Sequence, residues 1–248
     1  MKVSYSKVSC FNDCPYKYKL RYIDKLEPKF DERPDNPLIL GTRIHEGIET
    51  RNIEKAIEKY KEPYSIFGEE NEWEIFKMKS ILPVAIRDIP EGEYEHKLDV
   101  ADEFVGYIDL LVKVDEGLYD LYDFKYSNNF SGYSKSPQIH IYKYYYERIT
   151  GNKIRNMYYV FIPKNTKKLP SKDLEEAKRV LNEELSNSSI RFEKVEYDKQ
   201  YVGYFFARKT LLEKATSFEK RYTTRCSYCE YQKYCRTKGE DKSEIVIK

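Results

Sequence analysis

Nowhere in the 248 residues does an apolar run approach the roughly 20 residues that a membrane-spanning helix needs, and the opening MKVSYSKVSCFNDC lacks the apolar region of a secretion signal. The expectation is an intracellular, cytoplasmic protein with no membrane partner. An excess of charge of either sign is missing as well: 44 basic and 42 acidic residues leave a formal net charge of +2. No bulk field draws this chain to a polyanion, so any such site must be a local concentration of charge. The pattern GxxxxGK followed by Ser or Thr does not occur, so the sequence has no recognisable motor. Internal repeats and low-complexity linkers are absent. Cysteine is missing from the whole middle of the chain: Cys10 and Cys14 stand near one end and Cys226, Cys229 and Cys235 near the other, with more than two hundred residues between.

Aromatic residues are plentiful, 15% of the chain with 25 tyrosines, which excludes a disordered segment and supplies core formers for one sizeable domain or a domain with an appendage. In a reducing compartment the triplet C-x2-C-x5-C is unsuited to disulfides, and its short spacings let three thiolates converge on a metal. A fourth thiolate from Cys14 or Cys10 would complete four-cysteine ligation of a 4Fe-4S cluster or of zinc and pin the two chain ends together. A helix capped by Ser4 or Ser6 makes Cys10 and Cys14 i, i+4 neighbours, so spacing alone does not choose. Cys14 is the choice because it precedes Pro15, as in the Cys-Pro ending of bacterial cluster motifs.

The apolar periodicity predicts a helix from near Gly41 through Tyr60, carrying His45 in its first turns, and a second over 70–86 that Pro83 breaks or bends. The period then changes. Segments 93–100, 103–114 and 118–127 read as an antiparallel meander, followed by a helix over 137–150, a buried strand over 154–162, an exposed helix over 173–185, a strand over 190–197 and a long helix over 201–220. The expected organisation is a helical segment 1–92, a core 93–197 and a C-terminal segment 198–248, disordered from about residue 237. The fold class is α/β: a mixed sheet flanked by helices in the order α-β-β-β-α-β.

The sharpest constellation is the hairpin joining GYIDLL to YDFKYS. Pairing Val114 with Leu118 and counting back sets Asp109 opposite Asp123, with Cβ atoms about 4.5–5.5 Å apart, close enough for two carboxylates to share a divalent cation. Side chains alternate along a strand, so Lys125 emerges on the same face as Asp123 while Phe124 enters the other layer. Alone, Asp-Phe-Lys on a strand is ordinarily a solvated face. Here the flanks are apolar (Ile108, Leu110, Leu111, Val112, Leu118, Leu121), where unpaired charge is expensive. Glu95, on the preceding strand, can reach the same end of the sheet.

These motifs in this order resemble the PD-(D/E)xK nuclease superfamily, in its RecB-like branch with a four-cysteine iron–sulfur cluster, which includes the nuclease domains of AddAB-type helicase–nucleases and the CRISPR-associated RecB-like exonucleases. The resemblance covers nearly the whole chain. It implies Cys14, Cys226, Cys229 and Cys235 as cluster ligands, His45 in GTRIHEGIE as a metal-binding histidine, Asp109 and Asp123 as metal acids, Lys125 as the catalytic lysine and Glu95 as an acidic residue of the site. QIHIY is similar to the branch's Q-x3-Y element, giving Gln138 and Tyr142 as DNA-binding residues. The implied activity is a Mg2+- or Mn2+-dependent deoxyribonuclease, an exonuclease acting on single strands or ends in DNA processing, recombination or CRISPR adaptation. DNA is the implied partner, with a separate helicase or CRISPR adaptation proteins beside it, and the implied source is prokaryotic, archaeal or viral. The rival readings are an inactive DNA-binding scaffold and a zinc-stapled hydrolase of another substrate.

Overall fold

The computed structural model describes residues 1–246. By their contacts these fall into two compact units: a terminal one of residues 1–31, 99–106 and 198 onward, and a central one of residues 32–98 and 107–197. The units therefore do not follow the consecutive segments 1–92, 93–197 and 198–248. Both chain ends belong to the terminal unit, and the helices of residues 37–88 belong with the sheet.

In the terminal unit, Ser4 caps α1 (Tyr5–Asp13) by accepting from the Lys7 N–H at 3.2 Å. Pro15 then opens α2 (Pro15–Tyr18), which runs into a π-helical turn (Lys19–Ile23). The ring of Pro15 disfavours helical backbone in the residue before it, and Cys14 is extended at φ −156°. The helix is thus reset at Pro15, and the i, i+4 relation expected of Cys10 and Cys14 ends at the extended Cys14. The long helix expected over 201–220 is shorter, because its final turns do not form. The tail expected to be disordered from about residue 237 is placed through Val246: Ile245 is buried with Leu20 and Tyr231, and Lys29 donates its N–H to the Glu244 carbonyl. Residues 247 and 248 lie outside the described residues.

In the central unit, α3 (Pro37–Thr50) begins four residues before Gly41. Asn36 caps it through the N–H groups of Leu38 and Ile39, and Pro37 fills the first turn where no N–H is needed. Arg51, at φ +50°, ends α3, so the single helix expected through Tyr60 is two, the second being α4 (Ile53–Lys61). α5 (Glu69–Asp88) continues through Pro83 instead of breaking there.

The sheet holds five strands in chain order: β1 (Glu93–Val100), β2 (Phe104–Asp115), β3 (Leu118–Tyr126), β4 (Lys153–Ile162) and β5 (Arg191–Val195). β2 and β3 are antiparallel, β3 and β4 parallel, β4 and β5 antiparallel. The parallel crossover runs through α6 (Gln138–Thr150), and α7 (Leu174–Ser186) joins β4 to β5. This is the expected mixed α/β sheet with helical flanks. α3, α4, α5 and α7 share one core with Tyr122, Phe124, Val160 and Ile162. Tyr146 of α6 meets Tyr119 on the opposite face, with ring centroids 5.7 Å apart. A Cβ on Gly47 would come within 2.8 Å of Leu82, so the lack of a side chain there lets α3 lie close to α5. α8 (Lys199–Glu213), a 3-10 turn (Thr224–Tyr228) and α9 (Gln232–Arg236) complete the terminal unit.

Candidate active site and cysteine pocket

Leu110 pairs with Tyr122 and Leu111 with Leu121, and one step further along this register Asp109 stands opposite Asp123. The expected Val114–Leu118 pair is replaced by Asp115–Leu118; the register shift between Lys113 and Asp115 lies on the turn side of the acids and leaves their alignment intact. Gly117 takes φ +64° in this turn. Asp123, on the central strand, is 1% exposed. Its Oδ2 meets the Lys125 ammonium as an ion pair, in a geometry that leaves both carboxylate oxygens without a directed hydrogen bond. Asp109 Oδ2 accepts from the Phe124 N–H at 2.5 Å and lies 3.9 Å from His45 Nδ1. His45 sits on α3 with its ring edge-on to Phe124 at 5.6 Å. Gln138 Oε1 is 3.4 Å from Lys125 Nζ, and Gln138 Nε2 donates to the Tyr142 hydroxyl at 3.1 Å. The i, i+4 pair on α6 is thus joined to the lysine.

Burial and the neighbouring Asp123 charge push the Asp109 carboxyl well above its usual range, against the pull of Lys125 and the Phe124 N–H. Burial likewise raises Asp123, with Lys125 opposing. For Lys125, burial works to lower the ammonium, but the two carboxylates outweigh it and the group is raised. Burial and the Lys125 charge lower His45 to about 4, so its imidazole is neutral near pH 7. Two crowded acids beside a neutral imidazole form a donor set suited to a divalent cation. An orphaned oxygen on a fully buried carboxylate fits such an ion, since unpaired buried charge is otherwise costly. Among the described residues no three His, Cys, Asp or Glu side chains already converge as a cation shell.

Glu95 is on the more exposed side of β1, in step with the strand's alternation, and its backbone takes φ +50°, unusual for a non-glycine residue. Partial burial, and then the charge of Glu49, raise its carboxyl, and its own charge in turn bears on Asp109. Glu49 was not expected from the sequence. It follows His45 by one helical turn, the i, i+4 spacing that could have singled it out.

In the terminal unit, Cys14, Cys226, Cys229 and Cys235 line one pocket of about 120 Å³, together with Lys17, Lys220, Arg221 and Arg225; Cys10 is not among the lining residues. The extended backbone at Cys14 accounts for this difference within the pair. Backbone N–H groups point at two of the sulfurs, Lys17 at Cys14 Sγ (3.5 Å) and Thr223 at Cys226 Sγ (3.4 Å). Burial pushes the Cys10 thiol up to about 11. All five cysteines are free.

A family model described as the PD-(D/E)XK nuclease superfamily matches residues 2–236. No curated protein matches the chain. Among solved structures it is similar to that of a protein from Eubacterium rectale described as a candidate exonuclease, at 12% identity and a TM-score of 0.45, over 90% of this chain and 91% of that one. With the family match running from residue 2 past the last cysteine, and with Asp109, Asp123 and Lys125 falling inside it, the chain belongs to the PD-(D/E)XK nuclease superfamily.

Proposed function

We propose that the chain is a Mg2+- or Mn2+-dependent DNA nuclease, acting on single strands or DNA ends, with its chain ends stapled by a 4Fe-4S cluster on Cys14, Cys226, Cys229 and Cys235. The observation that carries the nuclease reading is the buried Asp123 carboxylate, with an unsatisfied oxygen, beside Lys125 and opposite Asp109. His45, Asp109 and Asp123 would hold the cation, and Glu95 is proposed as a further acid whose charge bears on Asp109. When bound, the ion supplies a Lewis acid for the scissile phosphate and activates the attacking water. Lys125 is held as an ammonium by Asp123 and Gln138, so that its positive charge stands where negative charge grows on the phosphate. Gln138 and Tyr142 are assigned to the DNA side of α6. A separate helicase or CRISPR adaptation proteins are the partners that this reading supplies for a chain without a motor.

Cation binding has a readout that does not need turnover. Because the folded Asp109 carboxyl is raised, the folded protein binds its proton more tightly than the unfolded chain does. Metal-free protein therefore loses stability as pH rises from the ordinary carboxylate value of about 4 through the raised one. A cation binding the ionised pair reverses this loss. At about 100-fold excess over Kd it adds on the order of 2.7 kcal/mol, so Mn2+ is expected to raise Tm at neutral pH by roughly 5–10 °C. The increment should shrink as pH falls and be absent in Asp109→Asn. An equal shift in wild type and variant would place the ion elsewhere.

The cysteine pocket is tested by the visible spectrum of anaerobically purified protein. A brown protein with broad visible absorption supports the cluster. A colourless protein holding one zinc would replace it with a zinc staple.

A further inference from the structure

We propose that Tyr133, in the strap of residues 127–137 between β3 and α6, is a positioning residue for Lys125, its ring and that of Tyr159 forming an aromatic wall that holds the ammonium beside Asp123. The inference rests on Lys125 being the catalytic lysine of the proposed nuclease. Its basis is the cross-strand layout. Lys125, Phe161 and Arg191 are neighbours on β3, β4 and β5, and Asp123 is paired with Tyr159 on β4. The strap lies over this face. Phe130 meets Phe161 edge-on at 4.8 Å and carries the Arg191 guanidinium 3.9 Å from its centroid. Tyr133 packs on Tyr159 at 5.9 Å and on Phe161 at 5.7 Å. Lys125 Nζ lies 5.4 Å from the Tyr133 centroid and 5.7 Å from that of Tyr159, within reach of the negative face of an aromatic ring.

The strap is built to hold that ring. Asn128 exchanges two hydrogen bonds with the backbone of Lys164, donating at 2.7 Å and accepting at 2.9 Å. The Tyr133 N–H donates to the Phe130 carbonyl at 3.2 Å, and the Ser136 N–H donates to the Tyr133 carbonyl at 2.9 Å. Asn129 accepts from the Gly132 N–H at 3.1 Å. A long lysine has many rotamers, and an ammonium that must meet a transferring phosphate gains from having few. Asp123 and Gln138 hold Lys125 from two directions; the rings close a third without competing for its protons.

The test uses the full-length protein with Tyr133→Leu, which keeps an apolar side chain without a ring, and Tyr133→Phe, which keeps the ring without the hydroxyl. On a labelled oligonucleotide with Mn2+, the Leu variant is expected to lower kcat on the order of tenfold with KM unchanged, and the Phe variant to stay within about twofold of wild type. With 13C-lysine labelling, the Lys125 Hε resonances, identified by their loss in Lys125→Ala, should lie upfield in wild type and Phe and move downfield in Leu. A Leu variant with wild-type kcat, a Phe variant as slow as Leu, or Lys125 resonances indifferent to Tyr133 would overturn the proposal. The resonance arm reads the wall itself and does not depend on cleavage. If Asp123→Asn cleaves like wild type, it is the nuclease reading that fails.

Discussion

Asp123→Asn and Lys125→Ala are each expected to slow DNA cleavage by a factor on the order of 10²–10³ or more, while the fold persists. Asn keeps the shape of the carboxylate but removes the charge that pairs with Lys125 and would bind the cation. It relieves the crowding of the acid pair but leaves the buried Lys125 ammonium with Asp109 as its remaining carboxylate, so the metal-free Asn variant should lose less stability than one in which a buried charge has no counter-ion. Lys125→Ala acts differently. It leaves the Asp123 carboxylate buried with no counter-ion, and the metal-free variant should lose stability that Mn2+ restores. Steady-state cleavage and thermal unfolding with and without Mn2+ check both statements. Wild-type turnover in either variant would show that this hairpin is not the reacting centre.

The second large effect belongs to the chain ends. If the four pocket cysteines share a cluster, they close a loop of more than two hundred residues, since Cys14 and Cys226 stand that far apart in sequence. By the cross-link estimate such a closure is worth on the order of 5 kcal/mol, comparable to the whole stability of many domains. Cys14→Ala is therefore expected to lose the brown colour and about 10–20 °C in the unfolding of the terminal unit. Cys10→Ala should keep both. The acids lie in the other unit, so the Mn2+-induced shift of the central unit should survive the loss of the cluster. An unchanged unfolding temperature in cluster-free protein, or cleavage switched on and off by the redox state of an intact cluster, would contradict a staple.

Much of the central sheet is legible in the sequence because its signals are local. Short segments rich in Val, Ile, Leu, Tyr and Phe on either side of Asp115-Glu116-Gly117 place the hairpin, and simple counting aligns Asp109 with Asp123 even though the bulge beside the turn is invisible to it. The start of α3 was legible in principle, from Asn36 as a cap and Pro37 at the first helical position, but apolar periodicity does not register capping. Pro83 illustrates the opposite case. Buried neighbours on α5, among them Leu82, Val84 and Ala85, carry the helix through a residue whose local preference is to stop it. The left-handed backbone at Glu95 has no local signature in a non-glycine residue, and neither has the approach of Tyr133 to Lys125, since both follow from how distant segments pack. Cys14 lies between: its break in α1 is the steric effect of Pro15, legible from one dipeptide, whereas the convergence of four cysteines on one pocket is tertiary.

The central claim is that this chain cleaves DNA with a divalent cation held at Asp109 and Asp123. The most direct measurement incubates the purified protein with single- and double-stranded DNA labelled at either end, in Mn2+ and in EDTA. The account predicts shortening of at least one of these substrates in Mn2+ and none in EDTA, with the label end revealing the polarity. Intact DNA in Mn2+ from protein that is folded and binds the ion, or cleavage that continues in EDTA, would contradict it.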